Sequence, residues 1–431
     1  MAAAPATAVL ALAVAAVAPL ADGDLRVAVG KMAVAVASAR HLPVPAAVAP
    51  RLVSRADLRA MDEAALNPGG AAQLYVRLGL VPDDPAAASG EGAVATYDPV
   101  TRRLSVPDWI PLADQREALA HALGHAVTDA RFGERQFLRI DDEGRRGLDG
   151  DATRARLAVV EGDATLAAVE AFDPRGALTG VFALRGLAER LRATGDGVPF
   201  SISWARAEAA FAHGDGLAFV ARVRTRAPWS AVDALWAAPP RSSEQVLHPE
   251  KYDAREAPMT VDATAPPALA AWREVSADVL GELGVRAWLA RAVEPPRAER
   301  AAAGWGGDRA ALFVAQETPS PDAGASDAGA PAPTSFVAWR TLWDDAAEAE
   351  DFARAAAPVL ARLANDPAAS LDDPHRVVAR GAGAVWALAW RDAAVSLLLG
   401  APESALPALD ELLPRKAASS RAARVRQAAP K

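Results

Sequence analysis

The chain has 431 residues, 52% of them hydrophobic and 23% charged, enough for two or three domains and a packed core, which excludes wholesale disorder. A net charge of −8 with no basic stripe argues against a nucleic-acid partner. The sequence has no cysteine, so disulfide scaffolds, thiol catalysis and iron–sulfur clusters are excluded, and any metal must be held by histidines and carboxylates.

Residues 1–21 are apolar and nearly uncharged, and Asp22 and Asp24 follow. This is the pattern of a signal peptide cleaved after Ala18 or Ala21, although no Lys or Arg precedes the apolar run. It implies a secreted, periplasmic or cell-envelope protein. No later stretch reaches the ~20 apolar residues of a membrane span. A short strand is predicted at 48–53, at a sheet edge because Pro50 cannot donate to a ladder. Ser54-Arg-Ala-Asp57 opens a helix to about residue 65. A second helix covers 74–80 and stops at Val81-Pro-Asp-Asp-Pro85. Strands at 94–97 and 103–106 flank Asp98-Pro-Val-Thr101, which has the chemistry of a hairpin turn.

The next helix, 115–131, has Asp114 as its expected N-cap and Glu117 completing a capping box. Leu119, Leu123 and Val127 form its apolar stripe. A long helix at 152–172 carries Glu161-Gly-Asp163-Ala164, and further helices follow up to residue 244. Residues 254–267 are Pro-rich and read as a linker. Beyond them, strands at 272–276, 312–314, 336–340, 377–379 and 385–390 mix with helices at 279–293, 346–363 and 403–413. The Pro/Ala/Gly/Asp stretch 318–334 reads as a disordered insert, and 415–431 as a flexible basic tail.

Two of the six histidines fall at i and i+4 in His121-Ala-Leu-Gly-His125. On a helix they share one face and can share one cation. A zinc ion at a catalytic site takes three protein ligands and a water. Glu161, on the next long helix, is the candidate third ligand if the two helices pair antiparallel. Asp129, four residues after His125, is placed to accept that histidine's free ring N–H. In the H-E-x-x-H pattern a glutamate follows the first histidine and acts as general base on zinc-bound water. Here that position is Ala122, whose methyl group takes no proton, and losing a general base typically costs ~10²–10⁴ in rate. Glu117, Glu134 and Asp163 are the carboxylates that could substitute, and Glu117 has the capping box as its other job. His41, His213 and His375 have no partner in the pattern and read as structural. His248 reads as a turn residue more than as a cleft wall, and Trp305 as the anchor of a tight turn.

Several motifs occur together in one order. They are Tyr97-Asp98-Pro99, Leu119-Ala-His121 into His125-Ala126, Asp129 with Phe132, Glu161-Gly-Asp-Ala-Thr165, Ser243-Glu-Gln-Val-Leu-His-Pro-Glu-Lys-Tyr252, Leu280-Gly-Glu-Leu-Gly284, Gly304-Trp-Gly-Gly-Asp308 and Trp339-Arg340. In this the chain resembles a bacterial family of secreted or lipid-anchored zincin-like metallopeptidases of the gluzincin type, over about residues 40–400. The resemblance implies Zn²⁺ on His121, His125 and Glu161, with Asp129 and Asp163 behind them. The chain departs from the family at Ala122 and at Thr128, where a Gln is usual, and both lie in the active helix.

The expected fold is therefore α+β: a mainly helical zincin-like domain over 22–255 with a small N-terminal sheet and hairpin, then a C-terminal α/β module over 256–414. The expected function is a zinc-binding pseudoenzyme, with a peptide or protein ligand as partner. An active zinc peptidase with another proton carrier and an envelope scaffold with an empty site are the alternatives.

Overall fold

The computed structural model describes residues 22–46, 48–57, 70–81, 94–141, 147–173, 180–193, 203–316, 333–366 and 370–413. The expected signal peptide, the tail 415–431, most of the predicted helix 54–65 and most of the insert 318–334 lie outside the described residues. No described helix is long and apolar enough to cross a membrane. The fold is mixed α and β in two compact units. One takes its residues from 1–67 and 84–256, the other from 68–83 and 257–431. Of the described residues, 70–81 thus belong to the second unit, whereas the sequence division leaves them with the N-terminal domain.

In chain order the elements before the second unit's sheet are α1 (Asp22–Arg40), β1 (Ala49–Val53), α2 (Gly70–Arg77, in the second unit), β2 (Thr96–Asp98), β3 (Arg103–Pro107), α3 (Arg116–Phe132), α4 (Glu134–Phe137), α5 (Gly150–Phe172), α6 (Val181–Ala193), α7 (Ser203–Ala209), a π-helical segment Ala210–Asp215, α8 (Gly216–Arg224), α9 (Trp229–Ala237), α10 (Ser243–Leu247) and α11 (Pro249–Asp253). The small sheet has the order β1-β3-β2, with β1 parallel to β3. β1 lies at its edge, as Pro50 requires.

The start of α3 differs from the expected capping box. Gln115, not Asp114, is the N-cap, and it makes no side-chain bond to the helix. Its amide instead donates to the carbonyls of Pro107 (3.0 Å) and Ile110 (2.7 Å), tying the helix to the end of β3. Glu117 is exposed in the first turn, where a negative charge suits the positive helix end. At the other end Gly133, at φ 74°, caps α3 through Asp129 and turns the chain back into α4.

Small residues let α5 approach its neighbours at backbone distance. A Cβ on Gly124 would sit 2.8 Å from Ala164 Cα, where α3 crosses α5. A Cβ on Gly162 would sit 2.3 Å from the Gly216 carbonyl oxygen, and one on Gly216 would sit 2.3 Å from that of Ala158, where α8 crosses α5. The core is closed by Arg40 at the end of α1. Its guanidinium is fully buried, bonds Asp163 in a fork (2.6 and 3.0 Å) and Asp233 (2.6 Å), and lies over the Trp229 ring at 4.2 Å. The Ser243–Tyr252 motif serves the same unit structurally: the Ser243 amide donates to Asp151 at the start of α5, and Lys251 pairs with the buried Glu244.

The second unit is built on a seven-stranded antiparallel sheet. Its elements are β4 (Trp272–Asp278), α12 (Gly281–Leu289), α13 (Pro295–Ala302), β5 (Trp305–Ala315), β6 (Ser335–Trp343), α14 (Ala346–Ala364), β7 (Ser370–Asp373), β8 (Arg376–Gly381), β9 (Ala384–Arg391), β10 (Ala394–Ala401) and α15 (Ala408–Glu411), with strand order β4-β5-β6-β10-β9-β8-β7. Period-two alternation in β6 sends Phe336 and Ala338 to the face covered by α15, and Trp339 to the opposite face, where it meets Trp288 and Phe352. Asp308 pins that second face. Its buried carboxylate accepts from the indoles of Trp305 and Trp339 and the amides of Leu280 and Gly281, all at 2.9–3.0 Å. The predicted helix 403–413 is broken at Pro407 into a 3₁₀ turn, Glu403–Ala405, and α15. The Pro-rich stretch 254–267 has no strand, but it is held down: Met259 bonds the Gly306 carbonyl, and Arg340 holds the carbonyls of Asp262 and Thr264.

The close crossings make a paired prediction. Gly162→Ala should destabilise the first unit by about 1–3 kcal/mol, because backbone on α8 cannot yield to a methyl group. Gly30→Ala, on the exposed side of α1 with nothing within 4 Å, should stabilise by up to about 1 kcal/mol. Urea unfolding measures both, and equal effects would contradict the helix spacing.

Candidate metal centre

The glycine that brings α3 onto α5 sits between the two histidines, and this fixes what they face. His121 and His125 point from adjacent turns of α3 toward α5, where Glu161 stands one turn before Ala164. Glu161 Oε2 lies 3.1 Å from His121 Nε2 and 3.2 Å from His125 Nε2. The two Nε2 atoms are 3.1 Å apart. A tetrahedral zinc with bonds of about 2.0–2.1 Å sets neighbouring ligand atoms about 3.3–3.4 Å apart, close to this spacing.

The far side of each ring is occupied. His125 Nδ1 is 3.1 Å from Glu134 Oε1, so the ring N–H donates to a carboxylate and leaves the Nε2 lone pair toward the centre. His121 Nδ1 is 3.2 Å from the Thr165 hydroxyl. Thr128 donates to Glu134 Oε1 at 3.0 Å.

Two expected supporting roles are corrected. Asp129 does not bond His125. It accepts from Tyr97 (2.8 Å) and from the Glu134 backbone amide (2.8 Å), so it acts one step back, by setting the turn that delivers Glu134. The turn at Gly133 makes this geometry and is not visible in helical spacing. Asp163 faces away from the centre, since two residues along a helix are about 200° apart. It is fully buried against Arg40 and Trp236.

Of the three carboxylates that could replace the missing base, Asp163 is bound by Arg40, Glu134 by His125 and Thr128, and Glu117 is exposed in the first turn of α3. Ala122 itself is buried, at 1% exposure.

A third imidazole reaches the centre that sequence reasoning leaves as structural. His213 lies in the π-helical segment between α7 and α8, with Nδ1 3.3 Å from Glu161 Oε2. Among the described residues, the ligand atoms of His121, Glu161 and His213 all lie within 4.8 Å of one another. Its only signal in the sequence is its residue type, because a π turn shifts the phase of the helix that carries it. The other histidines lie elsewhere: His41 in a left-handed turn after α1, His248 near Glu250 between α10 and α11, and His375 edge-on to Trp390. Trp305 anchors Asp308 from a fully buried position.

The cluster separates its charges. Burial opposes a charged Glu161, but His125 and His213 outweigh it and hold the carboxyl well below its ordinary range. Burial also opposes a charged His125, and Glu134 and Glu161 on either side raise it well above the ordinary histidine value. Burial lowers His121 to about 4, against its hydrogen bond to the Glu161 carboxylate, which favours the charged ring. Without an ion the centre therefore holds a carboxylate, an imidazolium and a neutral imidazole. A bound cation would take the place of the His125 Nε2 proton, with the His125 Nδ1–H still donated to Glu134.

A family described as "Domain of unknown function (DUF8575)" matches residues 269–410, within the second unit. No curated protein and no solved structure matches the chain.

A pH measurement tests the buried ring. In chelated protein, His121 stays neutral down to about 4, whereas unfolded it takes a proton near 6.5. Between these values the unfolded chain binds more protons at this position, so His121 contributes a fall in stability as pH drops through that window, against Glu134 and Asp308, whose raised carboxyls act in the opposite sense. The stability that raised His125 supplies is lost only above 6.5, and that of depressed Glu161 only below 4.5. His121→Asn should flatten the slope of unfolding free energy between pH 4.5 and 6.5. An unchanged slope would mean that His121 is not held neutral.

Proposed function

We propose that the first unit is a zincin-like domain of a secreted or envelope protein that binds one Zn²⁺ through His121, His125 and Glu161 and does not hydrolyse peptides. The observation that supports this most is the convergence of two Nε2 atoms and one carboxylate oxygen at 3.1–3.2 Å, with each ring held from behind. Imidazole nitrogens with a single carboxylate suit zinc, whereas calcium and magnesium call for oxygen ligands. Bound zinc supplies Lewis acidity and lowers the pKa of a bound water. Peptide hydrolysis also needs a proton carrier, and the position that would hold one is the buried methyl of Ala122. Retention of a peptide or protein ligand, without cleavage, is the role we assign to the domain.

A second reading, an interaction scaffold with no metal, has one observation in its favour. A protonated His125 between Glu134 and Glu161 satisfies both carboxylates without an ion.

Elemental analysis of the purified full chain decides between them. The expected result is one zinc per chain, lost on chelation, with no cleavage of casein. Glu134→Gln should weaken zinc binding about 10–100-fold, as is typical when a ligand loses its supporting partner. A chain with no zinc favours the scaffold, and chelator-sensitive cleavage of casein by wild type overturns the pseudoenzyme.

A further inference from the structure

The three-ligand centre has a neighbour that changes its chemistry. We infer that His213 is a fourth protein ligand, so that zinc is held in a closed His₃Glu shell with no position for water or substrate. This rests on the zinc-binding reading above and deepens it.

Three observations carry the inference. His213 Nδ1 lies 3.3 Å from Glu161 Oε2, within the same narrow range as the other pairs at the centre. The His213 ring is tilted beside His121, with centroids 5.5 Å apart, so two imidazoles from different helices face one carboxylate oxygen. The backbone is also built to put it there. Its segment, Ala210–Asp215, is π-helical within an otherwise helical stretch running from Ser203 to Arg224. An inserted π turn re-aims the side chains around it and recurs at functional sites. Gly214 and Gly216 allow the distortion. A Cβ on Gly214 would meet the backbone of α6 at Ala188 O (3.1 Å), and one on Gly216 that of α5 at Ala158 O (2.3 Å). The segment is thus seated against two helices, with His213 aimed at the centre.

Coordination number decides function here. Catalytic zinc keeps three protein ligands and an open position, while structural zinc is closed by four. A closed shell accounts for the absence of a base at Ala122, since no bound water would remain to activate. The ion would then tie the α7–α8 stretch to α3 and α5, and the peptide-binding role would fall on surface outside the metal.

The test uses the full chain loaded with Co²⁺, with acetohydroxamate as the probe for an open coordination position. The expected result is a wild-type Co²⁺ absorption spectrum that does not respond to acetohydroxamate. His213→Ala should then bind Co²⁺ and Zn²⁺ at least about 100-fold more weakly, beyond what loss of a supporting partner typically costs. Its Co²⁺ spectrum should shift when acetohydroxamate is added. His213→Gln, which keeps side-chain bulk, is measured beside it, and both are checked for folding by circular dichroism in chelator. A wild-type spectrum that responds to acetohydroxamate, or metal affinity unchanged in both variants, overturns the closed shell and leaves the three-ligand centre standing. A wild type that binds no metal overturns the centre itself and the closed shell with it.

Discussion

The arrangement of the first unit depends on the backbone-close crossing of α5 with α3 and α8. Helices normally pack with side chains between them, at 8–10 Å between axes. Here Gly124 meets Ala164, and Gly162 meets Gly216, so the crossings lose that layer. Side chains flanking the contacts can then reach across with short functional groups. Glu161 is within hydrogen-bond distance of imidazoles from two other helices because nothing bulky separates the backbones.

The same helix carries Glu161 and Asp163, two carboxylates that differ in what surrounds them. Asp163 is matched by the Arg40 guanidinium, which cannot give up its proton, and by an indole N–H. That pairing is permanent and serves packing. Glu161 is matched by imidazoles, which can give up a proton and offer a lone pair instead. Only the second arrangement can exchange protons for a cation. The chemistry of the centre follows from this difference, although both acids lie on one helix, two residues apart.

The second unit solves a buried-carboxylate problem in a third way. Among the described residues Asp308 is held by four N–H donors, two from indoles and two from the backbone at the start of α12, and by no ion pair. The four donors favour the charged form, but burial outweighs them and raises the Asp308 carboxyl to about 6. The matched family covers this sheet unit and not the His121–Glu161 cluster, so the reading of that cluster stands on its own geometry.

The parts legible in the sequence were those governed by local periodicity. An i, i+4 histidine pair must share a face of α3, and Ala122 must follow the first of them, whatever the rest of the chain does. Most strands of the second unit alternate or are bounded by turns, and they read correctly. β7 and β10 did not: β7 is a short polar edge strand, and β10, central and buried on both faces, carries an apolar run interrupted by Ser396 instead of regular alternation. Contacts between distant segments decided everything else. Asp129 looked like the partner of His125 by helical phase, but the left-handed turn at Gly133 brought Glu134 there instead. Gln115 displaced the capping box because the carbonyls of Pro107, at the end of β3, and of Ile110, in the loop after it, accept from its amide. His213 reached Glu161 only because a π turn altered its helix phase and two glycines let the backbone approach. Residue type and short-range spacing determined which groups could bind a metal, and tertiary packing decided how many of them meet, because convergence depends on helix crossings that no local pattern encodes.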